Sequence, residues 1–330
     1  MKKTFIHLDT ANTFFRARHV VRGTAEEKVG MCLQTVLMSL RKAWRDFKAD
    51  HVIVHLEGRS WRKDHYAPYK RQRTEARAAQ NPREQEEDRL FWATFDEFQV
   101  YMTSKTNTSV LRHSQLEADD LIAGFIQAHP DDMHVIISTD GDFAQLIAPN
   151  VRQYNGVSGI TITHEGYFDD KNKRVVDKKT KEVKPAPDPE WMLFEKCMRG
   201  DTSDNIFSAY PGVRTKGSKN KVGLQEAYAD RDSKGYNWNN MMLQRWVDHE
   251  GVEHRVLDDF NRNRLLCDLT AQPDEIKLLI KETIHTATTA GKSIPQVGVH
   301  LMKFCSKHDL VKIGEQIQSY ADPLNARYPV

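Results

Sequence analysis

Several kinds of site are excluded by what this chain lacks. It has four cysteines in 330 residues, Cys32, Cys197, Cys267 and Cys305, and none forms a C-x-x-C pair. That scatter argues against zinc and against a disulfide framework, and it fits a reducing compartment. The histidines include no H-x-x-x-H pair on a plausible helix, so they read as surface or structural residues. No apolar run is long enough to span a bilayer. The start, MKKTFIHLD, is basic like a signal peptide but lacks the long apolar stretch and the small-residue cleavage site. The expectation is a cytoplasmic protein with no membrane partner. There is no internal repeat. One-sided charge is also missing, with a net value of +2. If about eight acids gather in one site, however, the remainder carries about +10 (+2 minus −8), a balance suited to a polyanionic partner.

What is present starts with short apolar strands that end in acid. FIHLD runs to Asp9, HVIVHLEG reaches Glu57, and MHVIISTDGD ends in Asp140 and Asp142 around a glycine. Between the first two, Val29, Leu33, Val36, Leu37, Leu40 and Trp44 recur at helical spacing, predicting a helix over about 28–47. Strand, helix, strand favours a right-handed parallel unit. Residues 59–89 are dense in Arg, Lys, Glu and Gln and cannot bury a core face, so an exposed basic excursion is expected. Leu90–Met102 reads as an amphipathic helix. Ser114-x-x-Glu117 has the form of a capping box before a helix that opens with Glu117, Asp119 and Asp120. Residues 151–177 alternate like short strands or a hairpin, with Lys171–Lys184 as an exposed basic part. Pro185-Ala-Pro-Asp-Pro189 signals a linker and a helix start. Asp201 and Asp204 follow that helix, and helical patterns then dominate.

In an open α/β sheet, ligands sit beyond the carboxyl ends of the strands, where the following helices begin. One edge would therefore gather most of these carboxylates. Each has a plainer reading as a turn or cap residue, but all together they are hard to assign to chance. An oxygen-only set without His or Cys favours Mg²⁺ or Mn²⁺ over zinc. Carboxylates in such number suit two ions of the kind that assist phosphodiester hydrolysis.

With these motifs in order, the chain resembles the 5′-nuclease (flap endonuclease-like) superfamily, and within it the phage branch that includes T-even phage RNase H. The resemblance rests on HLDTANTFFR, VHLEG, WRKDHYAPYKRQR, LEADDLIA, ISTDGDFAQL, MRGDTSDNI and FNRNRLLCDL, which cover the chain to about residue 270. It implies a mostly parallel central sheet flanked by helices (a PIN-like 5′-nuclease fold) and a mainly helical C-terminal region with a helix–turn–helix-like duplex-binding motif. The implied division is 1–188, including a basic helical arch at about 59–112, and 189–330, which also supplies Asp201 and Asp204 to the active site. By position, Asp9, Glu57, Glu117, Asp119, Asp120, Asp140, Asp142, Asp201 and Asp204 match the family's metal-site acids. Asp9, Glu117, Asp119 and Asp140 fall with the tighter ion, and Asp142, Asp201 and Asp204 with the looser one. Glu57 departs from the family's usual Asp.

Tyr69-Lys70-x-x-Arg73 matches the arch motif. Lys70 would reach the scissile phosphate as a point charge, Arg73 would fork onto its oxygens, and Tyr69 would stack on a terminal base. Residues 210–223 correspond to the duplex-binding turn, with Arg214, Lys216, Lys219 and Lys221 in a longer basic loop and glycine N–H groups open to phosphates. The implied activity is 5′→3′ exonuclease and flap endonuclease action on branched DNA and RNA–DNA hybrids, removing primers in phage replication. Two Mg²⁺ ions, or Mn²⁺ in their place, would serve a monomer whose partners include a single-strand-binding protein or clamp. Two other readings of the acids stay open: a PIN-type ribonuclease and a catalytically inactive DNA-binding scaffold.

Overall fold

The computed structural model describes residues 2–18, 22–219 and 221–329. In chain order, β1 (Thr4–Asp9) leads through α1 (Thr10–Arg18) and α2 (Ala25–Phe47) to β2 (His51–His55). Next come α3 (Arg62–His65), α4 (Arg71–Ala78), α5 (Pro82–Lys105) and β3 (Ser109–Leu111). Then follow α6 (Ala118–Ala128), β4 (Met133–Ile137), a 3₁₀ turn (Gly141–Leu146), β5 (Val151–Asn155), β6 (Ile160–Thr163) and β7 (Gly166–Phe168). The remainder is α7 (Pro189–Arg199), α8 (Leu224–Ala229), α9 (Tyr236–Met242), the hairpin β8 (Arg245–Val247) and β9 (Glu253–Arg255), α10 (Val256–Cys267), α11 (Asp274–Thr289), α12 (Val297–Lys307), α13 (Val311–Gly314) and α14 (Ile317–Asn325).

Two compact units divide the chain: 1–60 with 80–187 and 273–330, and 61–79 with 188–272. This redraws the expected linear split. Val297, Leu301, Phe304, Ile313 and Leu324 belong to the same apolar core as the central strands, so the last sixty residues return to the first unit. Tyr69 belongs to the core of Phe194, Met198, Leu224 and Phe260, so the middle of the basic excursion goes with the second unit.

The first unit is built on a seven-stranded sheet of order β3-β2-β1-β4-β5-β6-β7, parallel through β5 and antiparallel for the last two strands. Strand β3 was not evident in the sequence; it is three residues long. Strand order reverses between β1 and β4, which makes that gap the switch point where a ligand crevice is expected. Alternation sorts the strand faces. Ile6, Leu8, Val52, Val54, Val135 and Ile137 join the core that contains Leu33, Leu37 and Leu40 of α2. Helix α2 starts at a capping box formed by Thr24 and Glu27, earlier than the apolar period alone shows.

The other face carries Phe5, Ile53, Ile136 and a diagonal row of buried imidazoles. His7 Nδ1 lies 3.0 Å from His55 Nε2, and His7 Nε2 lies 3.0 Å from His134 Nδ1. His134 Nε2 is 2.9 Å from the His129 carbonyl, an obligate acceptor. His134 must therefore carry its proton on Nε2, and each ring behind it must do the same. Among the described residues, His55 Nδ1 has no donor and ends the row as a buried acceptor. Burial holds these rings neutral, His55 at about 3 and His51 at about 4, with His7 and His134 also lowered.

The second unit is helical apart from the β8–β9 hairpin, which the sequence did not signal because its strands are three residues each and partly exposed. Among the described residues, no helix is long and apolar enough to cross a membrane.

Candidate metal centre

In the first unit, the carboxylates converge at the carboxyl edge of β1, β2 and β4. Asp9 is the last residue of β1 and is buried. Its Oδ2 accepts from Ser138 Oγ at 2.7 Å and its Oδ1 from the Asn12 N–H at 3.4 Å. The Asn12 amide oxygen in turn accepts from both N–H and Oγ of Thr139, each at 2.9 Å, which ties the first turn of α1 to the exit of β4. Burial, then the Glu57 carboxylate, push the Asp9 carboxyl up to about 7; Asp140 adds to this, while the Ser138 and Asn12 bonds oppose it. A group in that state lacks a counter-charge, and a divalent cation supplies one.

Glu57 follows β2 and is exposed; its Oε2 accepts the Ala118 N–H at 3.2 Å. Ser60 Oγ donates to Glu117 Oε2 at 2.6 Å. Glu117, Asp119 and Asp120 each offer an oxygen within 4.8 Å of the other two. Ser114 is not the cap of this helix. The N-cap is Glu117, whose N–H is accepted by Asp120 Oδ2 at 3.2 Å, while Ser114 accepts the Arg59 N–H through its carbonyl. Asp120 thus serves the helix start from within the acidic group. After β4, Asp140 Oδ1 accepts the Asp142 N–H at 3.0 Å, and Gln153 Nε2 donates to the carbonyls of Ser138 and Asp140 at 3.0 and 2.6 Å. The cap reading and the ligand reading of Asp140 therefore describe the same residue.

In the second unit the acids have cationic partners. Lys196 Nζ lies 2.7 Å from Asp201 Oδ2, and the N–H and Oγ of Ser203 donate to Oδ1, both at 2.7 Å. Burial would raise this carboxyl, but Lys196 and Ser203 outweigh it and bring it down to about 2. Asp201 and Ile206 exchange backbone bonds of 2.8 Å across a tight loop. Gly200 makes the loop possible: at φ 74°, a Cβ there would lie 2.3 Å from the Ile206 carbonyl oxygen.

Asp204 is buried and takes a bond from Arg73 at 2.7 Å on Oδ1, with the Tyr69 hydroxyl at 3.1 Å and Lys70 Nζ at 3.6 Å from Oδ2. The backbone repeats the connection, Lys70 N–H to the Asp204 carbonyl at 2.8 Å and Asn205 Nδ2 to the Pro68 carbonyl at 2.8 Å. All three arch residues thus meet on one of the expected metal-site acids. Tyr69 departs from its expected role. Its ring is 2% exposed within the second core and is not presented for base stacking. The arch signal, dense charge, hid an aromatic that the fold buries.

Arg214, Lys216, Lys219 and Lys221 are exposed on the expected basic loop. The glycine amides beside them are not open, as Glu226 accepts the N–H of Gly217 at 3.0 Å and of Gly223 at 2.9 Å. Sequence reading missed Glu226, although Gly223-x-x-Glu226 has the spacing of a capping box. It also missed Ser138, Asn12, Ser60 and Lys196, which orient acids without being acids.

The protein family described as 5′-3′ exonuclease, N-terminal resolvase-like domain, matches residues 4–180. DNA polymerase I of Rhizobium leguminosarum is 29% identical over 180 residues, 53% of this chain and 15% of that protein. DNA polymerase I of Chloroflexus aurantiacus is 28% identical over 202 residues, 59% of this chain and 18% of that protein. The match thus spans less than a fifth of either relative's length. Among solved structures, the bacteriophage T5 flap endonuclease, in a pseudo-enzyme–product complex with DNA and metal ions, shares the fold with a TM-score of 0.57 at 18% identity, covering 97% of this chain and 100% of that one. T5 5′-exonuclease with bound zinc gives a TM-score of 0.52 at 18% identity, with the same coverage. With a match over more than half its length and acids at the switch point of a mostly parallel sheet, the chain belongs to the 5′-3′ exonuclease family through its N-terminal, resolvase-like domain.

Proposed function

We propose that the protein is a metal-dependent 5′ nuclease, with 5′→3′ exonuclease and flap endonuclease activity on branched DNA. In this reading it also degrades the RNA of RNA–DNA hybrids and removes primers during phage DNA replication in the host cytoplasm. The observation that carries the reading is Asp9, buried and pushed up to about 7 by burial and by Glu57, with the Asp140 carboxylate also near it. A carboxylate donor set fits Mg²⁺, with Mn²⁺ able to substitute.

Asp9, Glu117, Asp119 and Asp140 would hold one ion, with Glu57 and Asp120 contributing at its margin. Asp142, Asp201 and Asp204 would hold a second. When bound, the metal supplies positive charge against the phosphodiester oxygens and acidifies water. The protein's own part is orientation. Ser138 and Asn12 fix Asp9, Ser60 fixes Glu117, and Gln153 fixes the turn that carries Asp140. Lys70 and Arg73 serve as the phosphate-facing cations, released from Asp204 as phosphate takes its place; Tyr69 supports them from the core. Arg214, Lys216, Lys219 and Lys221 hold the duplex through side chains, since Glu226 occupies the glycine amides. The reading is of a monomer that works beside a single-strand-binding protein or clamp.

A panel of 5′-labelled flap, nicked duplex, RNA–DNA hybrid and single strand, in Mg²⁺ and in EDTA, tests it. Cleavage of the flap and of the hybrid in Mg²⁺ alone is expected. A chain that cuts none of the four in Mg²⁺ is not a nuclease. One that cuts the flap but spares the hybrid is a flap endonuclease without the primer-removing activity.

A further inference from the structure

The antiparallel end of the sheet carries a polar cleft that the catalytic reading does not use. Register places Arg152 of β5, Thr161 and Thr163 of β6 and Phe168 of β7 on one face, because Tyr154 pairs with Thr161 and Thr161 with Phe168. These residues and Phe47, at the end of α2, line a cleft of about 320 Å³. The Arg152 guanidinium lies 5.3 Å from the centre of the Phe47 ring. It is half-buried, and among the described residues it forms neither a hydrogen bond nor an ion pair. A guanidinium has five N–H donors, and a half-buried one without acceptors is set for an anion. Burial lowers the Arg152 guanidinium from its ordinary value, and Glu165, which also lines the cleft, partly opposes this.

The lining continues through Asp169 and Asn172 into the basic segment 169–184, which holds seven cations against four carboxylates. Two of those carboxylates are taken up by turns. Asp169 accepts the N–H groups of Lys171 and Lys173, and Asp177 those of Lys179 and Thr180. Asp170 pairs with Lys42. Among the described residues, Lys171, Lys173, Lys178, Lys179 and Lys181 are exposed and form no ion pair. A half-buried unpaired arginine and a run of unpaired lysines thus adjoin one another on one unit.

We propose that this cleft and arm form a second nucleic-acid-binding surface, with one backbone phosphate seated on Arg152 between Thr161 and Thr163 and the strand continuing along the lysines. The choice of nucleic acid over an acidic peptide rests on the nuclease reading. Arg152 is level with Val135 of β4, and Asp140 lies five residues further along the chain. At about 3.3 Å per residue, the level of the cleft and that of Asp140 are at most roughly 17 Å apart along the chain.

The test is binding of labelled duplex in EDTA across a salt titration. Each phosphate contact steepens the dependence of log affinity on log salt by about 0.9. Arg152→Gln, which keeps much of the stem over Phe47, should make the slope shallower by about 0.9. Glutamine at Lys171, Lys173, Lys179 and Lys181 together should make it shallower by roughly 2 to 4. Glu165→Gln should tighten binding, a gain that a merely structural role for Arg152 would not give. Lys303→Gln, at an exposed position of α12, controls for net charge. Unchanged slopes in the Arg152 and arm variants overturn the proposal. So does a result in which those variants lose poly-glutamate binding but keep duplex binding, which assigns the surface to an acidic peptide. A wild-type chain that shows the full slope but cuts nothing in Mg²⁺ leaves this surface intact and sinks the nuclease reading instead.

Discussion

The two units hold the same kind of residue in opposite electrostatic states. In the first, Asp9 sits in a buried position with Glu57 and Asp140 as neighbours, and its carboxyl rises to about 7. In the second, Asp201 has Lys196 at 2.7 Å and falls to about 2, and Asp204 has Arg73 at 2.7 Å and Lys70 at 3.6 Å. Asp9 is repelled by its carboxylate neighbours, and an external cation would relieve that repulsion. Asp201 and Asp204 are already paired from within, so an incoming metal must compete with a lysine or an arginine. Strong and weak metal affinity can thus arise from the same ligand chemistry, set by whether the protein supplies its own counter-charge.

The largest expected effect tests the first half of that contrast. Asp140→Asn removes a carboxylate neighbour of Asp9, and flap cleavage in Mg²⁺ should fall by about 10³-fold while duplex binding in EDTA persists. Loss of binding alongside cleavage would mean that Asp140 holds the fold rather than the metal.

Next comes a pair of opposite signs. Without metal, Asp9→Asn relieves repulsion and should raise the unfolding temperature in EDTA at pH 8. Asp201→Asn removes the ion pair with Lys196 and should cost roughly 2 kcal/mol under the same conditions. Thermal unfolding of both variants in EDTA decides it, and changes of the same sign would erase the contrast.

The units should also part with pH. His51 and His134 lie in the first unit with their acidities shifted so that the neutral ring is favoured, His51 to about 4. A lowered folded value means that the stabilisation is complete above the unfolded value near 6.5 and is lost as pH falls towards 4. His51 alone should remove roughly 2 kcal/mol by pH 4.5. Denaturant unfolding at pH 7.5, 5.5 and 4.5 should show the loss, and His51→Gln should flatten it.

The smallest effect concerns the arch. Tyr69→Phe keeps the ring in its core and deletes one bond to Asp204, so stability should fall by about 1 kcal/mol with flap cleavage nearly unchanged. A large loss of cleavage with normal stability would return Tyr69 to the substrate.

The acids of the first unit were readable because they follow short apolar strands or open a helix, and a parallel sheet brings strand ends and helix starts to one edge. Residues that act by orienting others were not. Ser138 and Lys196 look ordinary in sequence, and only the fold shows which oxygen they face. The burial of Tyr69 was invisible for a different reason. Most of its apolar partners, such as Phe194, Met198 and Phe260, are more than a hundred positions away, and the stretch around it is dense in charge. The return of residues 297–324 to the first core was equally hidden, since an amphipathic helix states that it needs a partner but not which one.

The imidazole row has a consequence for how the sheet finds its alignment. A slip of one residue turns every apolar side chain to the wrong face and is heavily penalised. A slip of two residues keeps the faces correct, so hydrophobic patterning is blind to it. His7 bonds to His55, which is level with Asp9 on one side, and to His134, which is level with Phe5 on the other. Moving β1 two residues either way shifts His7 by about 7 Å and breaks at least one of those bonds, leaving a buried imidazole nitrogen unsatisfied. The row thus acts as a parity check on strand pairing, rejecting the one error that alternation lets through.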